Sequence, residues 1–242
     1  MEKKLTMQST LDNPTGFKYL IFLSMIYMSL MLFNAILTNR YVGFDHLYVL
    51  GGTLTSPFIF ILDDIIAEIY GYKITQTVVI AGFLAQSLFA IFAQLILLSP
   101  YPHNFSAEGA YASILGLSLL RINFSGFAAN IIANLMNSYI ITRWKILLKG
   151  KHFWLRSLGS STIAEAFYSF LAIVMMELKA IPFHDILKVV LLSYTIKVTY
   201  SALFAWPANC LVKHIKRKTG IDVYDLPKNF TPETYLKKEQ EA

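Results

Sequence analysis

Charge is scarce in this chain. Of its 242 residues, 15% are Asp, Glu, Lys or Arg, where a soluble domain carries about 25%. Hydrophobic residues make up 55%, and the mean hydropathy is +0.51. A chain this poor in charge cannot give itself a solvated surface, which excludes an ordinary soluble domain and points to an integral membrane protein. Cysteine is nearly absent. Cys210 stands alone, which excludes a disulfide framework and a cysteine-based metal site. No cofactor and no metal site is read from the chain. A cleavable signal peptide is not expected either, because residues 1–16 are polar and no small-residue cleavage site follows the first apolar run.

What is present is a series of long apolar runs. A span needs about 20 apolar residues. Six stretches qualify: Tyr19–Asn39, Leu47–Ile69, Ile74–Leu98, Ile122–Thr142, Ser157–Met176 and Val189–Val212. Ala110–Leu120 is apolar but too short, and reads as an interfacial or re-entrant piece ending at Arg121. The expected fold is an all-α integral membrane protein, a six-helix transmembrane bundle. Residues 1–16 form a polar tail, 17–213 the membrane domain, and 214–242 a polar C-terminal tail.

Basic residues set the expected orientation. Thirteen of them, at positions 3, 4, 18, 73, 143, 145, 149, 151, 156, 213, 216, 217 and 218, fall on one side of this scheme. Arg40, Lys179 and Lys188 fall on the other. Basic loops stay in the cytoplasm, so both termini are expected inside. The same bias accounts for the basic loop without nucleic acid as a partner; the lipid bilayer is the partner it implies. The sequence allows a homo-oligomer.

Against this background Asp63, Asp64 and Glu68 stand out. Residues 47–62 carry no charge, and after Lys73 the next charge-capable residue is His103. A charged residue inside a span costs roughly 3 kcal/mol on insertion scales, and such residues face the bundle interior or a wet cavity. Asp64 and Glu68 are four apart and share a helix face; Asp63 is turned about 100° away. Asn123, Asn130, Asn134 and Asn137 fall within about 60° of one line on the fourth span. Glu165 interrupts the fifth span and Lys197 the sixth. Asp64 lies nine residues before Lys73 and Glu165 nine after Arg156, so the two are expected at one depth. Lys197 and Arg121 are candidate counter-ions, Lys197 being too central to reach the surface and Arg121 equally able to extend to the outer interface. The expectation is one pocket in the cytoplasmic half, lined by Asp64, Glu68, Asn130, Asn134, Asn137 and Glu165, with Lys197 and Arg121 as counter-ions.

The run from Asp64 through Glu68, Tyr70, Gly71 and Tyr72 to Lys73 resembles the D-x-x-x-E-x-Y-G-Y signature of the bacterial queuosine precursor transporters, also called the vitamin uptake transporter family. Gly150 to Arg156, then Gly159-Ser160-Ser161 and Glu165, resembles a second signature, and Arg121-Ile122 fits as well. The resemblance spans roughly residues 20–215. It implies a six-helix importer in the bacterial inner membrane, not an enzyme. Its implied cargo is a small purine-like base, a 7-deazaguanine such as 7-cyano-7-deazaguanine or its aminomethyl form, salvaged for the tRNA nucleoside queuosine. Asn137 and Tyr168 stand where that family tends to carry Asp, and Asn134 where it tends to carry Gln. These changes remove charge from the pocket and leave queuine or another planar base as alternative cargo.

Two other classes compete. A substrate-binding subunit of an energy-coupling-factor vitamin importer would be similar in size, but docks through an Ala-x-x-x-Ala on its first span; Tyr19–Asn39 holds Ala35 alone. A membrane prenyltransferase would need a second acidic motif beyond Asp63-Asp64 and Glu68.

Overall fold

The computed structural model describes residues 13–45, 47–178 and 180–223. Most of the two expected polar tails, with Lys3 and Lys4, and the loop residue Lys179 lie outside the described residues. In chain order come α1 (Pro14–Leu37), β1 (Tyr41–Phe44), β2 (Leu47–Leu50), α2 (Gly52–Tyr70), α3 (Tyr72–Leu97), α4 (Glu108–Leu115), α5 (Leu117–Leu147), α6 (Phe153–Glu177) and α7 (Phe183–Thr219).

Helix ends follow local chemistry. Asn13 caps α1, its side-chain oxygen accepting from the Gly16 amide at 3.0 Å, with Pro14 in the first turn. Gly71, at φ +85°, separates α2 from α3; a side chain is strained there, and glycine is not. Gly220, at φ +68°, ends α7 in a left-handed cap.

Among the described residues, five stretches are long and apolar enough to cross a membrane: Pro14–Leu37, Tyr72–Leu97, Glu108–Leu147, Phe153–Glu177 and Phe183–Thr219. Their outward faces carry large exposed apolar side chains, among them Phe22, Leu84, Phe92, Phe124, Leu203 and Trp206. A continuous apolar surface of this kind suits lipid, not water. The protein is therefore an all-α, multi-pass membrane protein. The remaining long helix, α2, carries three carboxylates and is the central one. It packs against α1, α3, α5, α6 and α7, and fourteen of its nineteen residues are buried.

Three boundaries differ from the sequence reading. Leu47–Leu50, expected at the start of a helical span, is a strand paired antiparallel with Tyr41–Phe44. Burial of its last two residues, Val49 and Leu50, and the tie from Tyr41 Oη to Glu177 at 2.6 Å seat the hairpin over one end of the bundle. Burial and that hydrogen bond hold the Tyr41 phenol above its usual range. The short piece expected to end at Arg121 instead breaks at Gly116, and Leu117 onward belongs to the 31-residue α5. Arg156 and Lys145, counted above as loop residues, lie within α6 and α5 and are buried.

Candidate functional site

All three α2 carboxylates are buried: Asp63 and Asp64 are 1% exposed and Glu68 2%. Each meets a different set of partners. Asp64 accepts from Asn137 Nδ2 at 2.5 Å, from Ser161 Oγ at 2.9 Å and from Ser157 Oγ. Asp63 accepts from Asn134 Nδ2 at 2.7 Å through Oδ2, while its Oδ1 has no partner among the described residues. The asparagine stripe of α5 thus feeds both residues. Asp63 was expected to turn off the functional face. It is buried like Asp64, because α2 is enclosed on every side from Asp63 to Tyr70.

Glu68, one turn further, belongs to an ionic knot. Arg156 donates to it through both guanidinium nitrogens, at 2.9 and 3.0 Å, a bidentate pairing that fixes direction as well as distance. Lys216 Nζ lies 2.6 Å from Oε1, and Lys145 Nζ 3.8 Å from it. Lys145 also donates to the Glu68 carbonyl, to Asp222 and to the Val223 carbonyl, each at 2.7 Å. Lys216 reaches Asp222 at 2.9 Å. Burial works against the Asp222 carboxylate, but Lys145 and Lys216 outweigh it and hold its pKa below the ordinary range. The chain after α7 is pulled back onto the bundle, where the Val223 amide donates to the Ile69 carbonyl at 3.1 Å and Asn13 Nδ2 to the Thr219 carbonyl at 2.6 Å.

Glu165 does not meet Asp64. It lies one turn along α6 from Ser161 and faces Lys197 of α7, with Nζ 3.3 Å from Oε2. Lys197 also donates to Ser169 Oγ at 3.1 Å and sits 4.4 Å from the centre of the Tyr168 ring.

Two neighbouring cavities lie beyond the acidic level. One is lined by polar Asn34, Ser56, Gln86 and Asn130 and by the rings of Phe60 and Tyr168, among others. The centres of water molecules reach only about 20 Å³ of it, so it is narrow as described. The second, equally narrow, shares Asn34, Ser56, Tyr168 and Met176 with the first and extends to Thr38 and Lys197. Phe60 and Tyr168 meet edge to face at 5.5 Å, and Asn130 Oδ1 is buried without a partner among the described residues.

Of the eight candidates read from the sequence, Asn130 and Lys197 border these cavities. Asp64, Asn134 and Asn137 form a layer one to two turns away. Glu68 is enclosed by its cations, Glu165 is occupied by Lys197, and Arg121 is exposed near the start of α5. Gln86, Ser56 and Asn34 were not among those eight. Lys145 was legible: it lies eleven residues after Asn134, about 20° from the same line on the helix, and so continues the stripe. Arg156 was hidden by its position between Lys151 and the apolar run.

No curated protein and no solved structure matches the chain. One family model does, described as “Putative vitamin uptake transporter”, over residues 50–211. That range holds all of α2 with its acidic layer, the asparagine stripe, and Arg156, Glu165 and Lys197. The chain therefore belongs to the vitamin uptake transporter family.

Proposed function

We propose that this protein imports a planar purine-like base of the 7-deazaguanine class across the bacterial inner membrane, through six spans with both termini in the cytoplasm. α2 is the sixth span, its carboxylates sheltered by the other helices. One observation carries the reading: the cavity wall combines amides (Asn34, Gln86, Asn130) with aromatic rings (Phe60, Tyr168) and presents no unpaired charge. Amides offer both donors and acceptors, which a neutral heterocycle with N–H and C=O edges requires. Rings stack a flat base, worth about 1–3 kcal/mol each. Asn130 Oδ1, without a partner among the described residues, is an acceptor for an N–H of the base. The family membership supports transport, and the signature around Asp64–Lys73 favours a queuosine precursor. Asp64, Asn134 and Asn137 hold the cavity's inner floor, and the Glu165–Lys197 pair holds its wall. A base is larger than the space water centres reach here, so loading requires the helices to part.

The test is uptake of radiolabelled 7-cyano-7-deazaguanine, its aminomethyl form and queuine by bacteria unable to make queuosine. Saturable uptake that depends on this protein is expected. Its absence for all three bases, with the protein at the membrane, would refute the reading. Co-purification with an ATPase would favour an energy-coupling-factor subunit instead.

A further inference from the structure

The five buried acids among the described residues are not treated alike. Glu177, at the end of α6, accepts from the Tyr41 hydroxyl at 2.6 Å. Glu68 has Arg156, Lys145 and Lys216 around it. Glu165 has Lys197. Asp63 and Asp64, adjacent and 1% exposed, have no Lys, Arg or His in ion-pair distance among the described residues. Two adjacent uncompensated anions in a low-dielectric bundle are far too costly to persist; such a group takes up a cation or neutralises. The surroundings decide which. Asp64 accepts three hydrogen bonds, from Asn137, Ser157 and Ser161, and is satisfied as an anion. Asp63 accepts one, from Asn134, and its Oδ1 is bare. Asn137, fully buried beside Asp64, has an Oδ1 without a donor among the described residues. A metal ion needs converging lone pairs. Here the amide nitrogens and hydroxyls present hydrogens, so the site suits a proton.

We propose that Asp63 is a proton-carrying residue that couples base import to the proton gradient. The proton binds at Oδ1, the oxygen left without a partner among the described residues, as a carboxylic O–H and leaves from the same oxygen; no other bond changes. Every element around α2 is consistent with this. α1 presents the Tyr27 phenol, α5 the two asparagines and α6 the two serines. The one charged residue of α3, Lys73, is exposed. Lys197 and Lys216 of α7 are engaged with Glu165 and Glu68. Asp63 lies one turn from Ile59 and Phe60 of the cavity wall, so loading the cavity and protonating Asp63 can be linked.

The coupling rests on the transport reading above, and the test separates the two. In proteoliposomes, a pH difference of one unit should drive up to about tenfold accumulation for one proton per base. Asp63→Asn should abolish this accumulation, while exchange of base across the membrane falls by less than about tenfold. Accumulation by Asp63→Asn equal to wild type, or accumulation that follows a sodium gradient and ignores pH, would overturn the proposal. Infrared spectra at neutral pH give a readout without substrate. A protonated-carboxylic-acid band should be present in the wild type and in Asp64→Asn, and absent from Asp63→Asn. If no deazaguanine base moves but the band behaves this way, the cargo is wrong and the proton site stands. If the band is missing from the wild type or survives in Asp63→Asn, the proton site falls whatever the cargo.

Discussion

Arg156 of α6 grips Glu68 of α2 through two parallel hydrogen bonds, 2.9 and 3.0 Å long, across 88 residues of sequence. The two stretches that carry the family resemblance are joined at this contact. It closes the basic end of the bundle, and Lys145, Lys216 and Asp222 complete it. Replacing one partner of such a buried pair leaves an uncompensated charge, at a cost of about 3–5 kcal/mol. Arg156→Lys keeps the charge but loses the planar fork. Thermal unfolding in detergent should show Arg156→Met strongly destabilised and Arg156→Lys intermediate. Equal stability of both with wild type would mean that the knot does not hold the bundle.

The Glu165–Lys197 pair makes a parallel case on the other side of α6. Lys197→Leu should insert into the membrane and fail to transport, because Glu165 is left alone beside the cavity. Adding Glu165→Gln should recover much of the lost stability. Normal transport by Lys197→Leu would show Lys197 to be dispensable.

Asn130 tests the cavity itself. Asn130→Ala removes one buried amide from the wall, worth about 1–3 kcal/mol when a ligand group is left unpaired. The concentration of base giving half-maximal uptake should rise roughly 5- to 150-fold, with the amount of protein in the membrane unchanged. Unaltered uptake at low base concentration would place the binding site elsewhere.

Gly159 tests packing without reference to function. A Cβ there would fall 2.5 Å from the Trp144 ring, where α5 and α6 meet. Overpacking of this kind costs about 1–3 kcal/mol. Gly159→Ala should lower the unfolding temperature, and pairing it with Trp144→Leu should restore part of the loss.

The clasp after α7 should respond to acid. The pKa of Asp222 is depressed by Lys145 and Lys216 against the opposing effect of burial. Its contribution is therefore complete above the unfolded carboxylate value of about 3.9 and is lost as pH falls through the lower folded value. Protection of the Val223 amide against hydrogen exchange, corrected for the intrinsic rate, should drop over that acid range. Asp222→Asn should show weak protection at every pH.

Topology is tested by cysteine labelling in a Cys210→Ser background. Ser106→Cys should react from outside intact cells and Lys149→Cys should not. Labelling of position 149 from outside would invert the orientation proposed here.

Sequence alone determined the class of the protein. Low charge and long apolar runs dictate a membrane bundle, because hydrocarbon accepts apolar helices and little else. Helical periodicity placed the four asparagines on one line and marked Asp63, Asp64 and Glu68 as interior, since the cost of a lipid-facing carboxylate does not depend on the fold. Periodicity gives the face of each helix but not which other helix it meets. Asp64 and Glu165, matched by depth, take different partners because α6 turns Ser157 and Ser161 toward α2 and offers Glu165 to α7. Lys145 and Arg156 looked like loop charges, and became core residues only once α5 and α6 were long enough to carry them beside Glu68. The hairpin at Tyr41–Leu50 escaped notice because its apolar strand continues the hydropathy of α2. Only packing in three dimensions separated Glu68 and Glu165, which have cations, from the adjacent Asp63 and Asp64, which have none in ion-pair distance among the described residues.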